Sequence, residues 1–233
     1  LSIFRFQQFE VQQDRCAMKV GTDGILLGAW APLGQAARIL DIGTGTGLLA
    51  LMAAQRCPQA QIDAVEVEPQ AAEQARENVH RSPFGDRIRV LQGKVQDLPG
   101  AACYDHIICN PPYYQQGLAP PTEGRRMARH AHSLSYPELI KNIGRLLAPD
   151  GKSSLILPVH SFSSFLSLAA EQNLFPSSIL SLRSHPHKAV KRCLFTLDHK
   201  PKTAFQKEMS VHQGQSYSKA FRALTKDFYL GLE

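Results

Sequence analysis

Between residues 38 and 52 an apolar run, Arg38-Ile39-Leu40-Asp41-Ile42, meets three glycines, Gly43, Gly45 and Gly47. It then opens directly onto Leu48, Leu49, Leu51 and Met52 at helical spacing. A strand that turns through glycine into a helix is the first half of a βαβ unit. The pattern repeats: Gln61–Val67 alternates as a strand, and Pro69 stands in the first turn of a helix reaching Arg81. Arg87–Leu91 and Asp105–Cys109 read as two further strands. Ser135-Tyr136-Pro137-Glu138 is a capping box that starts a helix through Leu147, and Pro149-Asp150-Gly151 turns the chain into a strand over Ser153–Leu157. Strands alternating with helices in this way predict an α/β fold around a doubly wound, mostly parallel sheet. Past a helix at Ser161–Asn173 the pattern changes. Ile179–Arg183 and Arg192–Leu197 predict an antiparallel hairpin closing one edge, joined through Ser184-His185-Pro186-His187-Lys188. Tyr217, Phe221, Leu224 and Phe228 recur at i, i+4, i+7 and i+11, which predicts one face of a C-terminal helix.

Composition excludes several classes. With 43% hydrophobic residues among 233, the chain has material for a core and no low-complexity tract. No apolar run approaches the roughly 18–20 residues of a membrane helix. The first residues are interrupted by Arg5, Gln7, Gln8 and Glu10 and do not read as a signal peptide. Five cysteines without a CxxC pair predict free thiols, no metal site and a cytoplasmic setting. Charge is unevenly spread: residues 1–100 carry 10 Lys+Arg against 11 Asp+Glu, whereas residues 101–233 carry 16 against 9. A neutral front and a basic back suggest a small ligand on one and a polyanion on the other. No repeat or composition shift marks a boundary, so residues 1–233 are read as a single domain.

Three loops carry chemistry. Gly43-Thr44-Gly45-Thr46-Gly47 is G-x-G-x-G, not the dinucleotide fingerprint G-x-G-x-x-G, whose third glycine would have to replace Leu48 or Ala50. Its backbone at Gly43, Thr44 and Gly45 can approach a ligand closely. Glu66 ends the second strand of the series, 23 residues after Gly43, where a carboxylate can accept both ribose hydroxyls of an adenosine. Asn110-Pro111-Pro112-Tyr113 follows the fourth strand, adjacent to the first at the switch point of a doubly wound sheet. The Asn110 oxygen and the Pro111 carbonyl can each accept one N–H of a planar amine. Pro112 stiffens the loop, and Tyr113 can stack on a flat substrate.

The glycine loop preceded by Asp41 resembles the first motif of class I methyltransferases that use S-adenosylmethionine, and Asn110–Tyr113 resembles the motif of N6-adenine and glutamine-amide methyltransferases. Three longer stretches, Val20–Trp30, Ala128-Arg129-His130 and Leu224–Leu230, are similar to the bacterial family that methylates N6 of adenosine 37 in a valine tRNA. That resemblance implies a Rossmann-like seven-stranded sheet and S-adenosylmethionine as cofactor, with S-adenosylhomocysteine as product. Residues 1–37 would cover the cofactor, 38–160 form the catalytic core, and 161–233 supply the edge hairpin and C-terminal helix. Thr22 and Asp23 would line the methionine end, Asp41 would act on its amino group, and Glu66 and Val67 would meet the adenosine. Many relatives carry an acid after the third strand for the adenine amine. Lys94 stands there and cannot accept a hydrogen bond while charged, so backbone at Lys94–Val95 or a shifted Asp97 would substitute.

Between Tyr114 and Ser135 only 20 residues intervene, too few for a DNA target-recognition insert, and only 37 precede the first strand of the series, too few for the helical domain of a release-factor methyltransferase. Small size with a basic second half favours a structured RNA, and the family resemblance implies tRNA at its anticodon loop, with no DNA, membrane or metal expected and a monomer favoured over other oligomeric states. Arg125, Arg126 and Arg129, with Lys188, Lys191 and Arg192 near the hairpin, are the expected backbone contacts. The alternatives are a ribosomal RNA adenine, a protein glutamine amide, or a non-catalytic RNA-binding protein on the same fold.

Overall fold

A computed structural model describes residues 2–100, 102–111 and 134–231. The glycine-rich connection joins strand β3 (Arg38–Ile42) to helix α2 (Leu48–Arg56). Strand β4 (Gln61–Glu66), helix α3 (Pro69–Arg81), strand β5 (Ile88–Gln92) and strand β6 (Tyr104–Cys109) follow. Next come helix α4 (Tyr136–Leu146), strand β7 (Leu147–Pro158) and helix α5 (Val159–Glu171). In front of this series lie a small hairpin, β1 (Ile3–Arg5) with β2 (Glu10–Gln12), and helix α1 (Thr22–Trp30). Behind it come β8 (Phe175–Arg183), β9 (Val190–Asp198), β10 (Phe205–Ser210), a short pair β11 (His212–Gln213) and β12 (Ser216–Tyr217), and helix α6 (Lys219–Thr225).

The central sheet has the order β10-β8-β9-β7-β6-β3-β4-β5, with β5, β4, β3, β6 and β7 parallel and β9 antiparallel to both of its neighbours. Side chains alternate between two apolar clusters, one on each face. Ile39, Ile62, Ile108, Ile156 and Leu194 pack with α1, α2, α3 and α6, whereas Leu40, Val65, Ile107, Leu155 and Phe195 pack with α4 and α5. Each fully buried aliphatic or Phe side chain contributes about 1.5–3 kcal/mol relative to exposure. The capping box at α4 forms as its sequence predicts: the Ser135 hydroxyl accepts from Glu138 N–H while the Glu138 carboxylate accepts from Ser135 N–H.

The structure corrects four expectations. The sheet has eight strands rather than seven, because β10 adds a parallel strand outside β8. The β8–β9 hairpin therefore does not close the edge. Phe205–Ser210 buries only Met209, and a strand with so little apolar alternation reads as loop. Pro149-Asp150-Gly151 lies within β7, where the pairing jumps from Tyr104↔Leu147 to His106↔Lys152, so the turn is absorbed as a bulge. The aromatic series 217–228 is not one helix face: Tyr217 belongs to β12, Phe221 and Leu224 to α6, and Phe228 follows the helix, yet all four pack on the same cluster.

Candidate active site at the carboxyl end of the sheet

The parallel register fixes which loops meet. Ile42 stands opposite Val65 on one side and Cys109 on the other, and Glu66 stands opposite Gln92. Gly43, Val67, Gly93 and Asn110 therefore emerge side by side at the carboxyl ends of their strands. The chain leaves β3 toward β4 on one side while β6 flanks it on the other, which is the switch point where doubly wound sheets bind ligands.

The glycine loop is held in a conformation that its sequence makes possible. Gly43, Gly45 and Gly47 have φ of 71°, 55° and 85°, a region costly for residues with a Cβ. At Gly43 and Gly45 an added Cβ would meet nothing within 4 Å, so open space lies over the loop. Val65 O accepts from Gly43 N–H and Thr44 N–H, and one Glu66 carboxylate oxygen accepts from Gly45 N–H at 2.8 Å while the other accepts from Glu68 N–H at 3.0 Å. Glu66 thus reaches from the end of β4 to the glycine loop.

Asp41 is fully buried beneath the loop. One of its carboxylate oxygens accepts from the Thr44 hydroxyl at 2.5 Å and from Ala50 N–H at 3.2 Å; the other has no partner among the described residues. Burial pushes its carboxyl up to about 7, opposed by those two hydrogen bonds. An unpartnered buried carboxylate oxygen is a costly feature that a cationic ligand group would relieve.

Asn110 is half-buried, 3.9 Å from the Met18 sulfur, and its amide nitrogen lies 3.9 Å from where a Cβ on Gly24 of α1 would stand. Pro111 is buried beside it. Below, burial raises the Cys109 thiol well above its ordinary value, leaving it neutral. Pro112, Tyr113, Arg125, Arg126, Arg129 and the Ala128–His130 stretch lie outside the described residues.

Comparison with known proteins decides the family. The model of the methyltransferase small domain matches residues 21–152. Curated relatives called tRNA1(Val) (adenine(37)-N6)-methyltransferase are 44% identical in Bacteroides fragilis (97% of this chain and 97% of the relative) and 45% identical in Shewanella loihica (98% and 99%). The chain belongs to the tRNA1(Val) (adenine(37)-N6)-methyltransferase family. Among solved structures, a predicted O-methyltransferase from Agrobacterium tumefaciens superposes with a TM-score of 0.68 at 21% identity, covering 88% of this chain and 96% of that one. Pyrococcus horikoshii TYW2 in complex with MeSAdo superposes at 0.59 and 16% identity, covering 84% and 70%. These two likenesses establish the class I methyltransferase fold.

Against that family background, the remaining expected residues fall into distinct places. Thr22 and Asp23 start α1, and Thr22 is exposed. Asp23 accepts from Arg192 Nε at 2.8 Å, so a residue expected to hold RNA phosphate is ion-paired to one expected to line the cofactor. Lys94 is exposed at the start of a 3₁₀ turn over Val95–Asp97, and Val95 is buried in the α4 cluster. The Glu138 carboxyl is held below its ordinary value, chiefly by the Ser135 hydroxyl and N–H, with the Lys94 ammonium adding a smaller contribution. Lys94 thus faces the start of α4. Lys188 is exposed on the turn between β8 and β9, and Lys191 is exposed on β9.

Two buried amides that brace the N-terminal segment escaped the sequence reading. Gln74 and Asn78 are buried on α3, where both hold the N-terminal segment and Asn78 also reaches the glycine loop. Asn78 Nδ2 donates to Thr46 O at 2.8 Å and to Gln12 O at 2.9 Å, and its oxygen accepts from Gln12 N–H. Gln74 accepts from Arg15 N–H and donates to Asp14. This brings Cys16 beside Glu66; burial and then the Glu66 charge push its thiol up to about 11. The signal was present: two amides four residues apart among Ala71, Ala72, Ala75 and Val79 are out of place on an apolar helix face.

Proposed function

We propose that the protein transfers a methyl group from S-adenosylmethionine to N6 of adenosine 37, beside the anticodon of a valine tRNA, acting as a monomer in the cytoplasm. The observation that carries this reading is Asn110-Pro111 at the carboxyl end of β6, next to a G-x-G-x-G loop and two carboxylates on one sheet face. Family membership over nearly the whole chain supports the substrate class.

When bound, S-adenosylmethionine supplies an electrophilic methyl group. The open space over Gly43 and Gly45 and the unpartnered Asp41 oxygen fit its methionine end, with Asp41 facing the ammonium and Thr22 and Asp23 close by. Glu66, at the end of β4 with Val67 after it, accepts the ribose hydroxyls, and backbone at Lys94–Val95 meets the adenine.

An exocyclic adenine amine is a poor nucleophile because its lone pair is delocalised into the ring. The Asn110 side-chain oxygen and the Pro111 carbonyl each accept one of its N–H groups. This orients the nitrogen toward the methyl group and stabilises the positive charge that develops on it. Pro112 and Tyr113 complete the loop by stiffening it and stacking on the base. The proton is lost after transfer, so no strong base is required. Arg125, Arg126, Arg129, Lys188 and Lys191 neutralise phosphates around the target, and unstacking a loop adenosine costs less than opening a duplex.

The test is methyl incorporation into transcripts of valine tRNA with adenosine or guanosine at position 37. Incorporation into the first alone is expected. Equal incorporation into both would reject the assigned nucleotide.

A further inference from the structure

The turn between β8 and β9 carries a feature that methyl transfer does not use. Four rings stack in a column from the core toward solvent, and a fifth, His187, lies tilted against its outer end. Phe221, fully buried, lies 4.4 Å from Tyr217 (centroid to centroid, 17° between planes), and Tyr217 lies 5.1 Å from His212 at 22°. His212 lies 5.3 Å from His185 at 22°, and His185 lies 5.7 Å from the exposed His187 at 39°. Backbone hydrogen bonds fix the column: Ser184 O accepts from His212 N–H, Arg183 O from Val211 N–H, and Val211 O from Ser218 N–H, each at 2.9 Å.

Lys188, next to His187 in the turn, and Lys191, at the start of β9, are exposed, and among the described residues neither has an acidic partner within salt-bridge distance. Arg183, by contrast, is neutralised by Glu208 and donates to Lys188 O. The column sits at the same end of the sheet as Asn110, since β8 is parallel to β10 and antiparallel to β9, and Arg192 pairs with the last residue of β7. β8 is three strands from β6, about 14 Å at normal strand spacing.

Packing alone explains the inner rings. It does not explain the exposed His187 imidazole against the outer end, in a turn that also carries the exposed Lys188. An exposed ring face next to free cations is the arrangement that holds unpaired nucleic acid: the ring takes a base and the ammonium groups take phosphates.

We infer that the His187–His185–His212 column is a stacking platform for an unpaired base of the substrate RNA, with Lys188 and Lys191 on the adjoining phosphates. This rests on the tRNA reading above and adds a second point of RNA recognition away from the reacting adenosine. The test compares wild type, His187→Ala and His187→Phe for binding of an unmodified valine tRNA transcript, with donor affinity and thermal stability measured alongside.

His187→Ala is expected to weaken RNA binding about tenfold, near the lower end of the contribution of one stacked base. His187→Phe, which keeps a ring face, is expected to bind within about twofold of wild type, with donor affinity and melting temperature unchanged throughout. Wild-type affinity in His187→Ala, or an equal loss in His187→Phe, would overturn the platform while leaving the methyltransferase reading standing. Failure of the wild type to bind tRNA would overturn both.

Discussion

In the proposed reading Asp41 holds the donor's ammonium and Asn110 orients the target amine, and each makes a prediction. For Asn110→Ala, methyl transfer should fall by about 10²–10³-fold or more while tRNA and donor affinities stay near wild type, because only interactions stronger in the transition state are removed. Single-turnover kinetics with parallel binding measurements checks this, and an equal loss of binding would remove the assigned role. Asp41 predicts a pH dependence. Its carboxyl is raised from 3.8 to about 7, so the fold holds a proton that the unfolded chain releases between those values. The stability this contributes is fully present below 3.8 and lost as pH rises to about 7. Asp41→Asn should therefore melt higher than wild type at pH 8 and no higher at pH 4. A donor ammonium favours the ionised carboxylate, so wild-type donor affinity should weaken by up to about tenfold per unit below pH 7. In the variant, titration calorimetry should find weak binding with no such dependence. At this scale the sequence was informative: the glycines, Glu66 and Asn110 are each legible from type and spacing. The Arg192–Asp23 ion pair was not, because its partners are 169 residues apart and nothing local links them.

Among the elements, α3 does more than cover the sheet. Its buried Asn78 satisfies Gln12 on both backbone groups and Thr46 O, so one side chain joins the N-terminal segment to the glycine loop. Asn78→Ala should cost about 2–4 kcal/mol, because it strands backbone groups that are shielded from water. Urea unfolding measures that loss, and donor affinity should fall with it. The strand–helix alternation, the α4 capping box and the identity of the core strands were legible because apolar period and capping chemistry are local. β10 was not: an edge strand exposes one side to water, and Phe205–Ser210 has a single buried residue to show for it. The end of α6 was also missed, since the aromatic spacing at 217–228 satisfies a helical period while the chain meets the same cluster from a strand, a helix and a turn.

Across the whole molecule, charge and topology agree. The sheet gathers the glycine loop, both carboxylates, Asn110 and the β8–β9 turn at one end, and the basic half of the chain supplies Lys188 and Lys191 to that same end. A Lys188→Glu, Lys191→Glu double variant should reduce the slope of log affinity against log salt by roughly 2 for tRNA and leave donor binding unchanged. Filter binding over a salt series would show it, and an unaltered slope would take both lysines out of the interface.

The most direct measurement of the central claim incubates the purified protein with isotopically labelled S-adenosylmethionine and, separately, total bacterial tRNA, ribosomal RNA and a release factor, and reads the products by mass spectrometry. The account predicts N6-methyladenosine in tRNA alone, on the adenosine that follows the valine anticodon. Donor binding without transfer to any acceptor, or transfer to ribosomal RNA or the release factor instead, would contradict it.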